Sequence, residues 1–221
     1  MVKAAWVLLI AFIVFPVVDY KTLVLPSAGL SLGLAVIREL LIGFSIGLGA
    51  TLVFTGIQLA GQIVDIQMGL GMVNVIDPTT TTQISVMGQY YFLVATLVYL
   101  AVDGHLFLLK GVVDSFSLVP LGQAHFSPGL GKEMMGLFSQ VFFIAFRVGA
   151  PVIAALFITN IALGVVARTV PQMNVFIVGM PLTLAVGLIV SAATMSFFAY
   201  ILRGLFLGMY KDMAILISAM K

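Results

Sequence analysis

The chain has 221 residues, 62% of them hydrophobic and 8% charged, with a mean hydropathy of +1.23 and a formal net charge of +2. Water-soluble domains carry about a quarter charged residues, so this chain belongs in lipid, and its ten basic residues, scattered singly from Lys3 to Lys221, form no polybasic patch for nucleic acid. With no cysteine and two histidines, His105 and His125, disulfide frameworks, thiolate metal sites and cysteine nucleophiles are excluded; a tight transition-metal site is not expected, and neither is a cofactor.

The first apolar run, residues 4–18, follows the single charge of Lys3 as a secretory signal would. No small-x-small cleavage site follows, and Pro16 with Asp19-Tyr20-Lys21 reads as the end of a retained helix. A bilayer core of about 30 Å takes about 20 apolar helical residues, and further apolar regions span 30–64, 84–102, 134–167 and 175–202. Regions 30–64 and 134–167 are too long for one upright span, so they are expected to tilt steeply, to break, or to extend beyond the membrane against other protein.

Within 30–64, Arg38 and Glu39 are consecutive, so on a helix their side chains diverge and each meets a separate partner. The stretch 43–61 is dense in small residues, with Gly43 and Gly47 in GxxxG spacing; a second such pair is Gly204 and Gly208. Gly43, Gly47, Gly49 and Gly56 are therefore expected to let neighbouring helices approach closely, as subunit contacts. Arg147 lies deep in the apolar region 134–167, with Pro151 nearby to bend the helix. A cation at that depth needs a protein or water neighbour, so Arg147 joins the expected subunit contacts.

Between the second and third apolar regions lies "VDIQMGLGMVNVIDPTTTTQIS". It holds aspartates and no Lys or Arg, which mildly favours the non-cytoplasmic side. Glycine supplies mobility, the thioethers of Met68 and Met72 a deformable apolar surface, and Asp77-Pro78 stops the segment from continuing as helix. Asp65, at the end of an apolar run, reads as interfacial. Asp103-Gly104-His105 reads as a turn, Asp tolerating the geometry and Gly supplying the positive φ. No phosphate loop, HExxH zinc motif or GxSxG elbow is present.

Three stretches in fixed order, "GQIVDIQMGLGMVNVIDP", "DGHLFLLKGVVDSFSLVPLG" and "VVARTVPQMNVFIVGMPLTLAVGL", resemble the R subunit of the flagellar type III export gate, the FliR family. The homologues of virulence injectisomes resemble the chain less closely, because Gln67-Met68-Gly69 and the run from Pro171 to Phe176 look flagellar. Family members usually carry a further apolar segment ahead of the one near Lys3, so the chain is short at its start, through truncation or a misassigned initiator.

The resemblance implies an all-α membrane protein of long kinked helices in hairpins. Residues 1–130 would form a P-subunit-like part and residues 131–221 a Q-subunit-like helical hairpin and tail. It implies a hetero-oligomer with FliP-type and FliQ-type export gate subunits, contact with FlhB-type and FlhA-type export components, and unfolded flagellar subunits as cargo. The setting would be the lipid of the bacterial inner membrane at the basal body, with no nucleic acid and no enzymatic activity. The loop 68–84 corresponds to the family's channel plug, which assigns Met68, Gly69, Gly71, Met72, Val75, Asp77 and Pro78 to it. Two other readings stand beside this one. A secondary transporter would bind substrate and ion at Asp65, Asp103 and the glycine-rich loop, although the two halves show no internal repeat. An intramembrane enzyme would rest on Asp103 and His105, which lack a nucleophile or metal partner.

Overall fold

The computed structural model describes residues 2–18, 29–72, 85–122, 129–170, 172 and 174–220. Among them there is no strand, and the ordered elements are α1 (Val2–Val14), α2 (Gly29–Met68), α3 (Val86–Ala101), α4 (Gly104–Leu118), α5 (Leu130–Thr169), α6 (Val175–Ala193) and α7 (Met195–Ser218). Short 3₁₀ turns at Phe15–Val17 and Leu70–Met72 follow α1 and α2. The chain is an all-α membrane protein. α2 and α5 are each long and apolar enough to cross a membrane, and α3 with α4 and α6 with α7 form two bent pairs that reach the same standard jointly.

Both long helices run unbroken for 40 residues, about 60 Å at about 1.5 Å per residue. Arg38-Glu39 does not interrupt α2, and α5 continues through Pro151. The breaks fall elsewhere. α3 ends at Ala101, and Asp103, the N-cap residue of α4, has a left-handed φ of 56°, so the aspartate itself takes the special conformation and Gly104 is already helical. That corrects the expected assignment of positive φ to the glycine; a short polar side chain tolerates this region better than most. α6 and α7 meet at Thr194 with a 60° bend, where no proline or glycine stands. There the Thr194 hydroxyl donates to the Val190 carbonyl at 2.7 Å, a back-bond of a kind that Ser45, Thr51 and Thr159 also make within unbroken helices.

The chain divides into two compact units, Met1–Thr51 with Asp103–Leu137 and Phe206–Lys221, and Leu52–Val102 with Phe138–Leu205. In the first, Ile42, Ile46 and Ala50 of α2 and Phe206, Met209, Met213, Leu216 and Ile217 of α7 are buried. Both sets recur at intervals of three and four, one stripe per helix. Glu39 accepts a hydrogen bond from the Gly122 amide at 2.8 Å. The Tyr210 hydroxyl donates to Asp114 at 2.6 Å, and the Lys110 ammonium lies 5.6 Å from the Tyr210 ring centroid.

The second unit buries Val53, Ile57, Ala60, Val64 and Met68 of α2, Met87, Tyr91 and Ala95 of α3, and Ile144, Ala145, Val148, Val152 and Leu156 of α5. Phe54 meets Phe92 and Tyr99 edge-on with centroids 5.7 and 5.4 Å apart, and Tyr91 lies 4.9 Å from Phe198. Opposite these stripes, large apolar side chains such as Phe142, Phe143, Phe146 and Phe157 are exposed. In water such a face would be a liability; against lipid or a second protein it is the natural outside.

Candidate functional site

Residues 73–84 lie outside the described residues, and with them Val75, Asp77 and Pro78 of the expected plug. The two ends of that segment are described, and each is held by buried contacts within the second unit.

On the leading side, α2 ends at Met68, which is fully buried. Its carbonyl would be an unpaired acceptor at a helix C-terminus, and the Thr183 hydroxyl of α6 donates to it at 3.1 Å. The Met68 side chain covers Gly187, where an added Cβ would meet its Cγ and Cε at 2.7 Å. Gly69 then takes φ +86°, a conformation that L side chains adopt at a cost, and its amide donates to the Ile66 carbonyl at 3.2 Å. Gly71 and Met72 belong to the 3₁₀ turn that follows.

On the trailing side, Ser85 caps α3, its hydroxyl oxygen accepting from the Gly88 amide at 2.8 Å. The same hydroxyl donates to Oδ2 of Asp65, and the Met87 amide donates to the Asp65 carboxylate at 3.1 and 3.2 Å. Asp65 is 5% exposed, the one charged residue among the described residues that is buried. A carboxylate survives such burial when donors surround it and a helix N-terminus faces it, and the first turn of α3 supplies both. Asp65 thus shares in capping a helix whose N-cap residue, Ser85, lies twenty residues further along the chain.

The approach of α3 to α2 depends on Gly61. A Cβ there would fall 2.6 Å from the Met87 carbonyl carbon and closer still to the backbone of Gly88. Two glycines thus let the backbones touch where Asp65 reaches across.

The other expected contact residues separate into two groups. A Cβ at Gly49 would come into ordinary contact with Met213 and Leu216 at 3.9 Å, and one at Gly56 would collide with Ile144 at 2.9 Å, so both face other parts of the chain. A Cβ added at Gly43 or Gly47 would meet nothing within 4 Å. Arg147 is exposed on α5 with no ion pair to another described residue. Asp103 and His105 are both exposed at the α3–α4 turn, and among the described residues no group of three or more His, Cys, Asp or Glu is placed to hold a metal ion.

An all-α membrane protein with a segment pinned at both feet is the class that this architecture defines. The family profile described as "Bacterial export proteins, family 1" matches residues 1–209. The chain is 41% identical over 174 residues to the flagellar biosynthetic protein FliR of Bacillus subtilis, covering 76% of this chain and 66% of that protein. To FliR of Escherichia coli it is 31% identical over 182 residues (82% and 70%), and to FliR of Aquifex aeolicus 34% over 154 residues (70% and 59%). The chain spans about two thirds of the length of these relatives. It belongs to the FliR family of bacterial export proteins.

Proposed function

We propose that the chain is a structural and gating subunit of the flagellar type III protein export channel, through which unfolded flagellar subunits cross the bacterial inner membrane at the basal body. In this reading its neighbours are FliP-type and FliQ-type gate subunits, and it meets FlhB-type and FlhA-type export components. Residues 1–130 act as the P-like part, with residues 131–221 as the Q-like hairpin built from α5 and the α6–α7 pair. The role is structural rather than catalytic, and loop 68–84 is the obstruction that keeps the resting channel closed.

Family membership supports the setting, and one local observation carries the gating role. The threonine-rich segment 73–84 is flanked by buried contacts on both sides, Met68 under Thr183 and over Gly187, and Ser85 bonded to buried Asp65. A channel wide enough for an unfolded chain would leak small ions, so its obstruction must be anchored firmly at the ends yet be displaceable between them. A segment so flanked, with soft apolar residues such as Met72, Val73 and Val75, meets both requirements. Deleting residues 72–80 should leave the complex assembled and raise its conductance to small ions in planar bilayers. An assembled deletion complex that conducts no more than the intact one would place the seal elsewhere.

A further inference from the structure

We propose that Asn160, on the outward side of α5, is an intramembrane docking point, where a membrane helix of a different chain lies against this one and hydrogen-bonds to the Asn160 carboxamide. That the occupant is another chain rather than a second copy rests on the hetero-oligomer just proposed. The need for a protein occupant rests on α5 alone.

The position of the bilayer along α5 follows from its charges. The helix carries Lys132, Glu133, Arg147 and Arg168. Of the intervals they leave, only Val148 to Ala167 is long enough: about 20 residues at about 1.5 Å each make about 30 Å, the thickness of a hydrocarbon core. Arg147 and Arg168 then stand at its two boundaries, where a long basic side chain finds water, headgroups or a neighbouring chain. Asn160 falls about 4 Å from the middle of the interval.

The interval holds two polar side chains, adjacent in sequence and opposite in circumstance. The Thr159 hydroxyl donates to the Ala155 carbonyl at 2.9 Å, so its helix satisfies it. Asn160 is exposed and makes no hydrogen bond to another described residue. Its carboxamide needs both donors and an acceptor. Hydrocarbon offers neither, water is absent at that depth, and an unpaired amide there is costly. A polar side chain from another helix is what remains, and membrane helices use Ser, Thr, Asn, Gln and His for that purpose.

The surroundings of Asn160 suit a helix. Phe157 and Gly164 stand one turn before and one turn after it, on the same face. Phe157 is 63% exposed, and a Cβ at Gly164 would meet nothing within 4 Å, so a second backbone can come close beside the amide. Ile158 and Val165 lie on the other outward flank, exposed and purely aliphatic, a surface that lipid satisfies. The occupant is therefore an apolar helix with a hydrogen-bonding side chain at the depth of Asn160.

The test places a photoreactive amino acid at position 157 or 165 of the full chain, made together with its neighbours in bacterial membranes. Irradiation at position 157 should capture an apolar helix of a different chain that holds a polar side chain, and at position 165 lipid. Capture at 157 should fall about three- to tenfold in Asn160→Leu, the range of one interhelical hydrogen bond in lipid, and should largely survive in Asn160→Gln, which keeps the carboxamide. Asn160→Leu should leave the detergent-unfolding midpoint of the purified chain unchanged, because Asn160 bonds to nothing in its own chain. Lipid alone or a second copy captured at 157, equal protein capture at both positions, capture indifferent to Asn160→Leu, or a lowered midpoint in that variant would each overturn the docking point. Where neighbours still co-purify with the intact chain, those results leave the proposed function standing. An intact chain that co-purifies with no neighbour overturns the proposed function itself, and the docking point with it.

Discussion

Substituting Gly61 by alanine is the most direct probe of how α3 is seated. The added Cβ would lie 2.6 Å from the Met87 carbonyl carbon, whereas carbon atoms rest at about 3.5–4.0 Å, so the first turn of α3 must retreat by about 1 Å. Backbone cannot rotate away as a side chain can, which places the overpacking at about 2–3 kcal/mol, the upper part of its usual range. A retreat of that size also stretches the Met87 amide contact with Asp65 from 3.1 Å beyond hydrogen-bonding range, with the loss of a cap worth about 1 kcal/mol. Alanine returns about 1 kcal/mol through its better helix propensity, leaving a net destabilisation of about 2–3 kcal/mol. Unfolding of the purified chain by titration with a denaturing detergent, from mild detergent micelles, reads this difference. Gly43→Ala is the control, since nothing lies within 4 Å of its Cβ and propensity alone should make it neutral or stabilising by up to about 1 kcal/mol. An unchanged midpoint for Gly61→Ala, or an equal loss for Gly43→Ala, would refute the reasoning.

Leucine at both Gly43 and Gly47 should leave the isolated chain folded but lower the yield of the assembled complex, measured by co-purification of its neighbours; normal yield would end the subunit-contact reading. Arg147→Leu should weaken assembly by leaving an acid or a helix-end carbonyl of a neighbour unmatched, with Arg147→Lys milder. Equal co-purification of the Leu variant and wild type would show that Arg147 has no such partner.

Helix content was legible because it follows from local composition: forty residues with a small-residue face and no proline, as in α2, can hardly do otherwise in lipid. The bend at Thr194 was not legible, since "SAATMSFF" holds no glycine or proline. Pro151 was expected to bend its helix, and α5 continues through it. Family resemblance pointed to the 68–84 loop but not to what holds it. Asp65 and Ser85 are separated by twenty positions, so no periodicity links them; the one available cue was a serine directly before an apolar run, a helix-start signal, facing an acid at the end of the preceding run. The glycines illustrate the same limit. Sequence grouped Gly43, Gly47, Gly49 and Gly56 together, and only the packing distinguishes the pair facing other parts of the chain from the pair left open.

The length of α2 has a consequence for how the protein is made. Even at a tilt of about 40°, steep for a membrane helix, a hydrocarbon layer of about 30 Å covers about 26 residues at about 1.5 Å each. About 14 of its 40 residues therefore emerge from the lipid, and the exposed side chains of α2 include Leu30, Leu34, Val36, Ile37, Leu40 and Phe44. A newly inserted copy carries more greasy surface than any bilayer can cover. With the neighbours proposed above made in step, that surface would be covered on assembly; a copy made in excess is expected to be short-lived in the membrane.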